Sequence, residues 1–232
     1  MKSLSCLFVL LYVLIIGISP CLGKGTDTQL WTSVYTTTGL DKHFDLLLNG
    51  QLRFGNHVST LIDERVQTGF SYHTFSWLTL SPVYSYINHD QAGYTPFTEN
   101  RIDFSATVHF PVHELRIAIK STGEWRFRDP QGNSFRFRER LTLDHFIGKK
   151  AWGLTGYVSD EVFWDSDKDK WVRNRFYAGF KKTLTQNVKL DLFYMQQSDD
   201  YASPGNLSVI GLAFRLYFNG AELKHQIDHS IE

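Results

Sequence analysis

Read by alternate letters, the stretch Phe135-Arg-Phe-Arg-Glu-Arg-Leu141 separates into two lists. One holds Arg136, Arg138 and Arg140; the other holds Phe135, Phe137, Glu139 and Leu141. Successive side chains of a β-strand point to opposite faces, so a strand here carries three guanidinium groups on one side and mostly apolar groups on the other. In a soluble sandwich the arginines would face water. In a membrane barrel the phenylalanines would face lipid and the arginines a wet lumen. The rest of the chain has to choose between these solvents.

The same sorting recurs. His43–Phe54 sets Phe44, Leu46, Leu48, Leu52 and Phe54 against Asp45, Gln51 and Arg53, and Leu207–Phe218 gathers Ile210, Leu212, Phe214, Leu216 and Phe218 on one face. Asn100–Phe110 sets Ile102, Phe104, Ala106, Val108 and Phe110 against Arg101, Asp103, Ser105, Thr107 and His109. Strands are also predicted over Leu30–Thr37, Arg65–Tyr72, Trp77–Tyr86, Leu115–Arg128, Ser134–Phe146, Trp152–Phe163, Trp171–Lys182 and Val188–Gln197. Helical periodicity is nearly absent; a short, weakly amphipathic stretch at Ala221–Ser230 is the exception.

The connections fall into short ones (Pro111–Glu114, Phe146–Ala151, Leu184–Asn187) and longer polar ones (Gly55–Glu64, Asn88–Glu99, Asp165–Lys170, Ser198–Asn206), in alternation. Transmembrane barrels sort their loops this way, and a sandwich has no reason to. The expected fold is all-β: an antiparallel up-and-down transmembrane β-barrel of about 10–12 strands. Eleven segments conflict with the usual even number. Either Leu30–Thr37 is not a wall strand and lies inside the barrel, or the long segment Leu115–Arg128 merges two strands.

The start of the chain bears on compartment. Lys2 precedes Leu7–Ile18, an uncharged apolar run of secretory-signal size and too short to span a membrane as a helix. Residues 1–23 are therefore expected to be a cleaved signal peptide, and 24–232 a single barrel domain ending in a tail over 219–232. Pro20 directly before Cys21 argues against lipoprotein processing. Both cysteines, Cys6 and Cys21, lie in the leader, so no disulfide would hold the exported domain. The full chain is formally neutral, which gives no electrostatic footprint for nucleic acid.

A charge on the lipid face near mid-membrane costs about 2–4 kcal/mol, so the polar-face charges are expected to point inward. The set comprises Arg53, Arg101, Asp103, Arg116, Lys120, Arg136, Arg138, Arg140, Asp144, Glu161, Arg173, Arg175, Lys189 and Asp191. A hairpin centred on Lys168 sets Glu161 opposite Arg175. Arg101, Asp103, Arg136, Arg138, Arg140, Glu161, Arg173 and Arg175 are the candidate lumen network. They would either stiffen a filled lumen or line a narrow anion-preferring pore. Trp31, Tyr84, Tyr86, Trp152, Trp164 and Trp171 fall near strand ends, where membrane barrels carry aromatic girdles. Glu139 breaks the apolar set, so it should lie at the outer interface or mark a bulge.

Gln29-Leu-Trp31, Asn100-Arg-Ile102, Phe135–Leu141, Asp160-Glu-Val-Phe-Trp164 and Arg173-Asn-Arg-Phe-Tyr-Ala-Gly179 occur in this order over most of the chain. In this they resemble an uncharacterised family of bacterial outer-membrane β-barrels, domain-of-unknown-function family 2490. The resemblance implies an outer-membrane barrel and carries no activity and no site residues. The residues after Phe218 depart from the usual aromatic terminus of such barrels.

No GxSxG motif occurs, nor any recognisable signature of an outer-membrane phospholipase, protease or lipid A deacylase. His225, His229, Ser230 and Glu232 cluster in the tail, where preorganised catalysis is hard to build. His109 and His113 are separated by Pro111 at a strand–turn junction, poor geometry for a metal, and His225/His229 would need a helix. Asn206-Leu-Ser208 is a glycosylation sequon relevant only to a eukaryotic secretory route. No cofactor, catalytic group or metal is expected. The partners expected are outer-membrane lipid and lipopolysaccharide, the barrel-assembly machinery and periplasmic chaperones. The competing readings are a soluble exported barrel or sandwich holding an apolar ligand, and a rim-active outer-membrane lipid hydrolase.

Overall fold

The computed structural model describes residues 26–91, 95–112, 115–148, 152–202 and 204–219. The leader and the histidine-containing tail lie outside these residues, as does His113. Eleven strands follow in chain order: β1 (Thr26–Gly39), β2 (Phe44–Gly55), β3 (Thr60–Phe75), β4 (Leu78–His89), β5 (Phe97–Val112), β6 (Leu115–Asp129), β7 (Gly132–Phe146), β8 (Leu154–Asp165), β9 (Lys170–Thr185), β10 (Val188–Asp199) and β11 (Asn206–Phe218). Each strand pairs antiparallel with the next, and β1 closes on β11 in parallel, from Thr26↔Asn206 to Thr38↔Phe218. The result is a closed barrel with no free edge, so every strand has a hydrogen-bonded neighbour on both sides.

Both explanations offered for the odd strand number are therefore wrong. β1 is a wall strand with partners on each side, and Leu115–Asp129 is one unbroken strand. The parity is absorbed by the parallel closure. The expected alternation of loop length is also weaker than the sequence suggests. Residues 147–153 form a connection as long as any other, although Phe146–Ala151 reads as short. At the opposite end β6 and β7 are joined by residues 130–131 alone. β3 and β5 begin early enough to absorb much of the polar sequence that reads as loop.

Burial is inverted relative to a soluble protein. Leu48, Ile102 and Ile210 are 53%, 50% and 56% exposed, whereas Asp45, Glu99 and Glu124 are 1% exposed or less. Soluble proteins rarely bury carboxylates so fully or display so many large apolar side chains together. The outer wall is apolar and the interior polar, as alternation requires once the barrel closes with this register. β7 pairs continuously with β6 and β8, so Glu139 faces outward without a bulge. It accepts a hydrogen bond from Ser121 Oγ (3.0 Å), and Asp160, also outward, accepts one from Asn174 (2.8 Å).

Candidate functional site

The register turns the whole predicted set of polar-face charges into the lumen. Arg136, Arg138 and Arg140 lie opposite Glu124, Thr122 and Lys120 on β6, and opposite Asp165, Phe163 and Glu161 on β8. The centre of the network is Glu124, 0% exposed. Arg136 Nε donates to its Oε2 (2.6 Å), Arg138 Nε lies 2.7 Å from its Oε1 and Arg101 Nη1 donates at 3.4 Å. One buried carboxylate is thus shared by three guanidinium groups. Asp103 sits opposite Glu124, buried, and its Oδ1 has no hydrogen-bond partner among the described residues.

Glu161 and Arg175 are register partners, with Arg175 Nη1 3.9 Å from the carboxylate. Glu161 has closer neighbours: the Tyr177 hydroxyl donates at 3.0 Å and Arg138 Nη1 at 3.2 Å. Arg175 instead donates Nε to Gln197 (2.8 Å). Arg173 donates to Asp199 (2.6 Å), and Arg140 to the Ser159 hydroxyl (2.8 Å) while lying 4.3 Å from the Tyr177 ring centroid. Phe163, fully buried, has the guanidinium carbons of Arg175, Arg136, Arg173 and Arg138 between 4.8 and 5.7 Å from its ring. Aromatic faces attract cations, so this ring helps to hold arginines that carboxylates do not fully neutralise.

Sequence reasoning missed a second tier nearer the rim. Glu99 binds Arg126 through both oxygens (2.9 and 2.8 Å) and Arg101 through one (2.6 Å). Asp63 pairs with Arg65 and with His89 (3.3 Å). The period of two does continue into these positions, but the acidic residues read as loop. Trp31 is a correction: it is 4% exposed and faces the lumen, so it belongs to no girdle. Arg53 lies over its ring at 3.6 Å. The indole N–H donates to Gln29, which donates to Asp27 (2.9 and 3.0 Å). Asp27 in turn accepts the backbone N–H groups of Asn56 and His57, at the start of a left-handed run through Val58. Tyr84, Tyr86, Trp152 and Trp171 are exposed, and Trp77 and Trp125 join them.

These side chains enclose a cavity of about 550 Å³ at the end where β1 begins. Nine arginines and Lys168 line it, against five carboxylates. Adding Glu124 and Glu161 below still leaves an excess of positive charge. A low-dielectric cleft lined by one sign of charge concentrates ions of the other sign. Among the described residues, no group of three or more His, Cys, Asp or Glu side chains is arranged to hold a metal.

The family described as "Protein of unknown function (DUF2490)" matches residues 28–208. The chain belongs to that family. DUF2490 thus covers every strand from β1 to the start of β11. No curated protein matches the chain. Among solved structures it is similar to an anion-selective porin from Comamonas acidovorans, at 12% identity and a TM-score of 0.40, over 76% of this chain and 53% of that one. The chain therefore spans about half the length of that porin. It is also similar to LpxR from Salmonella typhimurium, at 9% identity and a TM-score of 0.46, over 74% of this chain and 83% of that one. A NanC porin in a rhombohedral crystal form gives 13% identity and a TM-score of 0.48, over 78% and 93%.

Proposed function

We propose that this DUF2490 protein is a non-enzymatic barrel of the bacterial outer membrane whose lumen is a narrow, anion-preferring passage. The carrying observation is the pairing of an apolar outer wall with a cavity in which guanidinium groups outnumber carboxylates. The apolar wall is solvated by lipid; exposed tryptophans and tyrosines lie at the headgroup level, where amphipathic rings are favoured. Ser121, Glu139, Asp160 and Asn174 form a polar patch on that wall, with Glu139 midway along β7 between outward Phe137 and Leu141, against the expectation of an interfacial position, and Ser121 and Asn174 supply hydrogen bonds to the patch's two carboxyl groups. Arginine remains charged at any working pH and binds carboxylate or phosphate in a fork, which suits a partly dry lumen. Arg136, Arg138, Arg140, Arg173 and Arg175 supply the positive lining, while Arg101, Asp103 and Glu161 belong to the network that fixes them.

Refolded protein in a planar bilayer tests this reading. Under a salt gradient the expected result is a small conductance with a reversal potential favouring chloride over potassium. Cation selectivity would overturn the anion preference. Recovery of the exported protein as a soluble monomer without detergent would overturn the membrane reading.

A further inference from the structure

Below the cavity the lumen contains two cations, Lys120 and Arg140, that form no ion pair with a carboxylate, although Glu161 lies opposite Arg140 on β8. Lys120 on β6 and Arg140 on β7 are direct register partners, so like charges lie side by side on one wall. Such pairs are destabilising when placed directly opposite each other. Lys120 is exposed although it lies mid-strand and points inward, so its ammonium reaches lumen water. Among the described residues it makes no hydrogen bond or ion pair with protein. Arg140 spends Nε on Ser159 and its face on Tyr177, and forms no ion pair with a carboxylate.

The surroundings suit a small guest. Thr107 lies opposite Lys120 on β5, Thr122 faces Arg138, and Thr142 shares a hydrogen bond with Ser159 (2.9 Å). These short hydroxyl side chains leave space and offer donors. An ammonium and a guanidinium edge that hydrogen-bonds no carboxylate, flanked by hydroxyls, present the chemistry that takes an oxyanion.

We propose that Lys120 and Arg140 form a binding site for a small oxyanion, a phosphate or carboxylate group, which serves as the missing counter-ion in the neck of the lumen. The site deepens the anion-preferring reading and rests on it, but it can be tested without ion flow. Refolded full-length protein is unfolded in urea at low ionic strength, with inorganic phosphate or with sodium chloride at matched ionic strength. A ligand that binds only the folded state raises the midpoint. Phosphate is expected to raise it more than chloride. Lys120→Met should raise the midpoint in the absence of phosphate, by removing the repulsion, and should abolish the phosphate increment. Its phosphate affinity should fall by roughly tenfold or more, the loss expected for one charge-assisted hydrogen bond. Lys120→Arg should keep the increment.

Equal effects of phosphate and chloride would mean general screening and would overturn the site. So would a phosphate increment that survives Lys120→Met, or a Lys120→Met protein that is less stable than wild type without phosphate. A barrel that binds phosphate yet carries no current leaves this site standing while the pore reading fails.

Discussion

The two sides of the lumen are built from the same alternation and filled in opposite ways. On β8 to β11 and β1, the inward positions hold Trp31, Tyr157, Tyr177, Phe193, Met195, Leu207 and Val209, which pack into a continuous apolar cluster. On β3 to β6, around and below the charged tier of Glu99, Arg101, Asp103 and Glu124, they hold Gly69, Ser71, Ser81, Ser85, Ser105, Thr107 and Thr122. These hydroxyls satisfy one another along the wall, as in Ser71–Ser81 and Ser105–Thr122, both 3.0 Å. Strand register alone does not decide whether a small barrel is plugged. The volume of the inward side chains does, sector by sector. Any passage must run along the short-chain sector, beside Lys120.

The comparison breaks most readily at Phe193. It lies between Gly179 on β9 and Gly211 on β11, and a Cβ at Gly211 would come within 2.0 Å of its ring. The two glycines make room for this aromatic side chain inside the wall. Phe193→Ala should cost about 3–5 kcal/mol, the range for deleting a large aromatic from a packed site. It should also widen the lumen, so conductance should rise. Urea midpoints and bilayer currents on one preparation read both effects. A stable Phe193→Ala barrel with unchanged conductance would show that the sector is not packed as described.

The short-chain sector should respond in the reverse sense. Ser105→Ala removes half of a hydroxyl pair and should cost about 1 kcal/mol, the net worth of such a hydrogen bond. Thr107→Phe, by contrast, should leave stability near wild type and reduce conductance sharply, because it fills the space beside Lys120. Loss of folding with Thr107→Phe would mean that this side of the lumen is packed too, and the contrast between the sectors would disappear.

How far the sequence discloses this arrangement depends on how sharply each segment alternates. In β7, Phe135 to Leu141 fixes both faces without help, and all eleven strands are visible as segments. In β1 the inward set Gln29, Trp31, Ser33, Tyr35 and Thr37 is hardly more polar than the outward set Leu30, Thr32, Val34 and Thr36. Hydropathy therefore cannot say which way Trp31 points. The triple pairing of Glu124 depends on the relative register of β5, β6 and β7, which is set by where each strand ends and the next begins. The parallel closure of β1 on β11 joins residues 180 or so apart with no hairpin to encode it, and only the completed barrel reveals it. Glu99 and Asp63 were hidden by composition: acidic residues at strand ends resemble loops until an arginine faces them.

The smallest expected effect lies where the two sectors meet, at the turn between β1 and β2. Asp41 is fully exposed there and accepts the backbone N–H groups of His43 (2.6 Å) and Phe44 (2.9 Å). These bonds, His43 first, favour the ionised form and hold the carboxyl below its usual value of 3.8. A group whose folded value is depressed contributes stability above its unfolded value and loses it as pH falls through the folded one. Asp41→Ala should therefore lower the urea midpoint slightly at pH 6, and the gap from wild type should close below pH 3.8. Phe193→Ala removes no carboxylate, so its own deficit should not fade over the same range. A gap at Asp41 that stays constant with pH would assign the turn's stability to chain geometry instead of to the carboxylate, and the seam would then be held only by contacts such as Arg53 on Trp31, which reach across it from inside.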